Sequence, residues 1–300
     1  GDNGGTGGGE EPEQPPDAYI NDSFITSSGA LIINNDVDYD PNNKVYYSGY
    51  FGDYTVGGQV INKEFVTEPK YKSAASPEVF EKATYQELQY TGATEDRPLS
   101  NWNITNGQYW AAKASFSGTK ISVANNTVLL IGEQLGIGYM LYKNFLTMDN
   151  VEITVPKGKT LEFIICDYGT IKDYDNVVLK NITIKGGGQV SFISGGSIAV
   201  NSIKSVDNSR ILFIANKNLN MSDPFINADK QLDGGCFLSS AGNMQMLVSS
   251  NAAAAFYGQM QSAGLISIGG QSGGTGKLVL RFNKIGEKLK MPNMYYLKAA

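Results

Sequence analysis

"ITIKGGGQVSFI", residues 182–193, is two short apolar strands around a glycine turn. Ile182 and Ile184 flank a polar residue, and so do Val190 and Phe192. That is the period of a strand with one buried face. The β-branched and aromatic content agrees, and Lys185–Gly188 supplies residues that permit a tight reversal. The couplet recurs as "ISVANNTVLLI" from Ile121, "ITVPKGKTLEFII" from Ile153 and "IKSVDNSRILFI" from Ile203. Looser copies, "FLSSAGNMQMLV" and "ISIGGQSGGTGKLVLRF", start at Phe237 and Ile266. The copies start 32, 29, 21, 34 and 29 residues apart.

Two all-β architectures fit a strand-turn-strand couplet. Each couplet is a hairpin of a β-sandwich, or it is two sides of one coil whose strands pair with the next coil. A coil needs about twenty residues, and surplus residues bulge out as loops. The minimum spacing of 21 favours the second architecture. The repeated couplets and the Gly- and Asn-rich composition resemble the right-handed parallel β-helix of pectin-lyase-like proteins. The resemblance implies a solenoid over residues 119–300.

A solenoid exposes an apolar end unless it is capped. Residues 18–118 are expected to supply an N-terminal mixed β cap. They hold the strand-like "ALIINN" and "KVYYSGYFG" and one helix signal, "SPEVFEKATYQELQ". There Ser76 is placed as N-cap and Pro77 as first helical residue, with Val79, Phe80, Ala83 and Leu88 near one face. "KMPNMYYLKAA", residues 290–300, is expected to close the other end.

"GDNGGTGGGEEPEQPP" opens the chain with no apolar residue to order it. Residues 1–17 carry five acidic residues and no basic one, which leaves 24 of 29 acids to balance 24 bases in the rest. A neutral body with three arginines has no electrostatic footprint for nucleic acid. No stretch approaches the roughly eighteen apolar residues of a membrane span. The opening stretch resembles the segment after the lipidated cysteine in surface lipoproteins of Bacteroidetes, although the cysteine itself is not in the sequence. The resemblance implies a flexible tether and a lipid-anchored protein at the outer membrane surface or in the periplasm.

The chain has 0 histidines, which excludes Ser-His-Asp and Cys-His triads and His-ligated zinc. Catalysis would fall to carboxylates, Lys, Arg or Tyr. Cys166 and Cys236 sit in apolar strands and read as small buried hydrophobes. "GGQSGGTGK", residues 269–277, lacks phosphate-loop spacing and precedes a strand instead of a helix.

Three groups of residues are candidate sites. Asp36, Asp38 and Asp40 alternate and can converge on calcium, yet Pro41 and Tyr47 stand where an EF-hand loop needs Gly and Glu. Asp167, Asp173 and Asp175, with Lys172 and Arg210 as the nearest cations, offer groups for polysaccharide cleavage or calcium binding. Tyr46, Tyr47, Tyr50, Tyr54, Trp102 and Trp110 offer aromatic faces that stack on sugar rings or anchor a partner. Solvated loops and core packing are the bland readings of the same residues.

The expected function is non-catalytic adhesion, or binding of a polysaccharide or surface protein. A polysaccharide lyase or glycosidase is the alternative, and a structural surface or fimbrial component is the second alternative. Calcium is the one candidate cofactor.

Overall fold

The computed structural model describes residues 24–27, 29–40, 45–47, 53–60, 86–87, 101–104, 107–111, 113–131, 145–165, 175–226, 233–249, 251–270 and 276–291. Their strands form one 25-stranded sheet. Pairing is parallel through its body, and Tyr54–Val56 against Gln59–Val60 is the antiparallel exception.

The two strands of a couplet do not pair with each other. Thr160–Ile165 pairs with Gln189–Ser194, which pairs with Arg210–Ala215. Residues 152–154 pair with 183–185 in the same way. Hairpins require antiparallel neighbours, so this register excludes the β-sandwich.

The pairings form three ladders. The first joins Ala114–Ser117, 146–149, 177–180, 198–201, Leu219–Ser222, Met244–Val248 and Ile266–Gly270. The second joins Asn101–Ile104, Lys120–Val123, 152–154, 182–185, 203–205, Phe225–Ile226, 253–258 and Lys277–Phe282. The third joins Gly107–Ala111, Thr127–Ile131, Thr160–Ile165, Gln189–Ser194, Arg210–Ala215, Gly235–Ser240 and 258–262. Each early couplet is a second-ladder strand followed by a third-ladder strand. The copies from Phe237 and Ile266 are different pairs, third then first and first then second.

In the earlier coils the step from first to second ladder is a tight corner with left-handed backbone. Gly118, Asn150, Asn181, Ser202 and Asp223 hold it, with φ of 61°, 55°, 52°, 62° and 48°. Gly, Asn and Asp are the residues that enter this region at least cost.

A second recurring turn links third to first ladder. Ser262 Oγ donates to Gly242 O at 2.7 Å and Ser240 Oγ to Lys217 O at 2.8 Å, so each turn is bonded to the turn below. A Cβ on Gly264 would come within 2.7 Å of Gly242 O. Close backbone approach therefore demands glycine there.

The core lies between the ladders and is lined by alternate residues of each. Ile121, Ile153, Ile184, Leu129, Phe163, Phe192 and Phe213 are fully buried in it. The three phenylalanine rings stack at 5.1 Å between centroids, with planes 6° and 11° apart. That spacing follows from the 4.7–4.9 Å separation of paired strands.

Residues from near the start of the chain extend the ladders past the C-terminal strands. Ile25 lies opposite Met260, Leu31 opposite Ile266 and Val37 opposite Leu278. Val45–Tyr47 and Tyr54–Val56 then pair with Ile25–Ser27 and Leu31–Ile33. Gln86–Glu87 and Asn101–Ile104 lie at the opposite end, where the ladders begin.

One expectation is corrected. No α-helix occurs among the described residues, and Gln86–Glu87, inside the expected helix, is a strand opposite Tyr109 and Trp110. Backbone pairing there overrides local helix preference. The rest of 76–89 lies outside the described residues. Of the C-terminal segment expected to close the other end, residues 292–300 lie outside the described residues. After a 3-10 turn at Ile285–Lys288, the chain runs back along the outer face of the third ladder.

Candidate functional site

The first residues of successive third-ladder strands form a column. Thr160, Gln189 and Arg210 stand opposite one another in register. Asn126 sits one step below, its Oδ1 accepting from Thr160 N at 3.0 Å. All four are polar, and they floor a cleft of about 210 Å³. The glycine-rich turns at Gly158–Lys159 and Gly187–Gly188 make one wall, and Lys288 and Lys290 of the C-terminal segment make the other.

The turn wall needs its glycines. Gly187 has φ of 78°. A Cβ on Gly188 would meet Val155 O at 2.7 Å. Gly187 N donates to Ser209 Oγ and Gly188 N to Val155 O, tying one turn to its neighbours.

The opposite wall is pinned in three places. Gly286 N donates to Gln259 Oε1 at 2.7 Å. Arg210 Nη1 donates to Lys288 O at 2.8 Å. The Gln189 amide accepts from Lys290 N and donates to Lys290 O, both at 2.8 Å. Ile285 and Leu289 bury between these contacts in a second apolar cluster with Leu130, Ile164, Ile193, Leu212, Ile214 and Phe237. Burying two such side chains stabilises the segment by roughly 3–6 kcal/mol, so the wall is as much part of the fold as the strands.

Four cations line the cleft: Lys159, Arg210, Lys288 and Lys290. Two carboxylates offset them from outside its lining. Asp233 approaches Lys288 Nζ at 3.4 Å. Glu162 is buried behind Lys290, whose charge opposes the rise in its pKa caused by burial. Arg210 is also fixed through Nε, which donates to Asp233 O at 2.9 Å. Two backbone carbonyls therefore orient its guanidinium, and Nη2 donates to no acceptor among the described residues.

Among the described residues, Arg210 alone of the expected site residues lies in this cleft. Asp167, Lys172 and Asp173 lie outside the described residues; Asp175 opens the strand Asp175–Lys185, and its side chain is not described. Asp36 and Asp40 flank Val37–Tyr39, and the Asp38 carboxylate pairs with Arg281 at 2.8 Å. Among the described residues, no group of three carboxylate or thiol side chains is placed to hold a metal ion.

Tyr47 and Tyr54 correct the expectation of exposed aromatic faces. They are 4% and 1% exposed, with rings 5.4 Å apart, and belong to the core. Strand alternation points them inward. Tyr46, Trp102 and Trp110 are in strands, but their side chains are not described, and Tyr50 lies outside the described residues. Cys236 is a buried free thiol, its pKa driven up by burial, and Cys166 lies outside the described residues.

The signal for this cleft was present in the repeats. Thr160, Gln189 and Arg210 each precede the apolar run of the second strand in aligned couplets, a polar column at one register. Lys159 follows from the same alignment. Lys288 and Lys290 carry no local signal, since long-range packing brings them in. Comparison of the chain with family models, curated proteins and solved structures gives no match.

Proposed function

We propose that the chain is a parallel β-helix, right-handed like the pectin-lyase-like proteins it resembles, and that it binds a glycan without cleaving it. The three parallel ladders support the first part. Strands linked by short corners and paired only with their counterparts in neighbouring copies make a three-sided coil. The Gly- and acid-rich opening segment supports display from a lipid anchor at the bacterial outer membrane or in the periplasm.

One observation carries the binding reading. The cleft at Arg210 is walled by parts of the chain that are far apart in sequence, all of its titratable side chains are cations, and hydrogen bonds fix the Arg210 guanidinium and the main chain of Lys288 and Lys290. A cation set of one sign built around a fixed guanidinium binds at reduced ordering cost, whereas acid–base cleavage uses paired groups of separated pKa.

Affinity electrophoresis against a panel of host and plant polysaccharides tests the reading. Retardation by a polymer that stays intact supports it. Shortening of the polymer overturns it in favour of a lyase or glycosidase. No retardation by any polymer also overturns it and leaves a structural surface component as the better account.

A further inference from the structure

We infer that the cleft between the glycine turns and the C-terminal segment is a site for a tetrahedral oxyanion, a sulfate or phosphate ester group on a larger ligand. This rests on the binding reading above and names the ligand class for it.

The argument starts from where the charges come from. Arg210 rises from the floor, Lys159 from the turn wall, and Lys288 and Lys290 from the segment opposite. A planar carboxylate is matched by one planar fork. Cations arriving from three sides suit a group with acceptor oxygens in three dimensions.

Arg210 is the fixed element. Its Nε and Nη1 are committed to Asp233 O and Lys288 O, at 2.9 and 2.8 Å, so the guanidinium plane is set before a ligand arrives. Nη2 is left to donate. The lysines are point charges on flexible stems and can follow the ligand's oxygens. The size is compatible with this reading. About 210 Å³ holds one ester group and part of the residue bearing it, and the rest of the ligand extends along the ladder flank.

The cleft depends on the C-terminal segment. Gln189 holds the Lys290 main chain by two hydrogen bonds, and Arg210 holds that of Lys288 by one. Two of the four cations are therefore present only while the segment is docked.

The test compares dextran sulfate, phosphorylated dextran, polygalacturonate and neutral dextran by affinity electrophoresis and calorimetry at two salt concentrations. The expected result is binding of the sulfated or phosphorylated polymer at least about tenfold tighter than polygalacturonate, weakening with salt. The relative retardation by the first two polymers separates sulfate from phosphate as the source.

The double variant K159A/K290A should weaken that binding by about tenfold or more. K204A/K277A, which removes two exposed lysines of the second ladder, should change it by less than about twofold. R210K keeps the charge, loses the fixed fork and should also weaken binding. Equal loss in the two double variants overturns the site, as does preference for polygalacturonate. Binding of neutral or carboxylate polymer that K159A/K290A leaves unchanged overturns the oxyanion site and preserves the broader binding reading. Binding of none of the polymers overturns both.

Discussion

Arg281 donates from Nη2 to Asp38 Oδ2 at 2.8 Å, across 243 residues of sequence. Its Nη1 also donates to Asp38 O at 2.8 Å. The pair sits where Val37–Tyr39 adds to Lys277–Phe282, so a strand from near the start of the chain completes the ladder at its C-terminal end. Both Ile25–Ser27 and Leu31–Ile33 repeat this relationship on the other ladders. The apolar ends of Ile266–Gly270 and Lys277–Phe282 are thereby covered within one chain.

The Asp38 contact gives a pH-dependent contribution. The hydrogen bond from Arg281 holds the Asp38 carboxyl below its ordinary 3.8. A depressed carboxylate pKa stabilises the fold above the unfolded value, and the contribution disappears as pH falls through the folded value. Asp38→Asn should therefore lower the urea midpoint slightly at pH 7, and the difference from the parent should vanish well below pH 3.8. Midpoints measured from pH 7 to pH 2.5 check this. A gap that persists unchanged at the acid end would show that the ion pair is not its origin.

The phenylalanine stack predicts a larger effect. Phe192 lies between Phe163 and Phe213, each ring 5.1 Å away, and is 0% exposed. Phe192→Ala removes buried area and two ring contacts and leaves a cavity in a parallel ladder that cannot collapse around it. The expected loss is about 3–5 kcal/mol. Phe192→Leu, which retains most of the volume, should lose about 1–2 kcal/mol. Equilibrium urea unfolding measures both, and equal losses would mean that ring volume is not what the stack contributes.

The repeated strands were legible because burial at a fixed register leaves a periodic mark. Ile121, Ile153 and Ile184 share one register on one side, and Leu129, Phe163, Phe192 and Phe213 share another on the next. The early first-ladder strands carry no separate mark because they join the second ladder through so short a corner. In "DNVEIT" and "KNITIK" the corner residue, Asn150 or Asn181, sits inside an unbroken extended run and reads as strand. The placement of 24–33 was written in the sequence too. Ser27-Ser28-Gly29-Ala30-Leu31 matches Ser262-Ala263-Gly264-Leu265-Ile266, and Ser27 Oγ donates to Gly264 O at 2.9 Å. The C-terminal wall of the cleft had no such mark, because its residues are held by side chains 78 and 101 positions away.

The corner residues carry their own prediction. Asn181 has φ of 52°, between the stacked corners at Asn150 and Ser202. A β-branched residue is poorly tolerated in left-handed backbone, and glycine is not penalised. Asn181→Val should destabilise by about 1–2 kcal/mol, and Asn181→Gly should lie within about 0.5 kcal/mol of the parent. Thermal unfolding of the two variants side by side checks the order. A Gly variant as damaged as the Val variant would show that the Asn side chain, not the backbone, is what the corner needs.

Glu162 is the buried charge that the fold tolerates beside its cleft. It is 7% exposed, stands between Val128 and Ser191 in register, and its Oε1 has no hydrogen-bond partner among the described residues. Burial raises its pKa above the ordinary 4.5, and the Lys290 charge only partly opposes this. The sign follows from proton binding. Between the unfolded and folded pKa values, the folded state holds a proton that the unfolded state has lost, so stability falls as pH rises through that window. Glu162→Gln removes the ionisation and keeps the shape. It should raise stability at pH 7 by about 1 kcal/mol, since an incompletely satisfied buried group is replaced by a neutral one. The advantage should shrink as pH falls through the raised folded value toward 4.5 and level off below it, where the parent carboxyl is protonated in both states. Urea midpoints at pH 7, 5.5 and 4 read this directly. A parent more stable than Glu162→Gln at pH 7 would mean that the Lys290 attraction outweighs desolvation, and that the carboxylate anchors the C-terminal wall in its charged form.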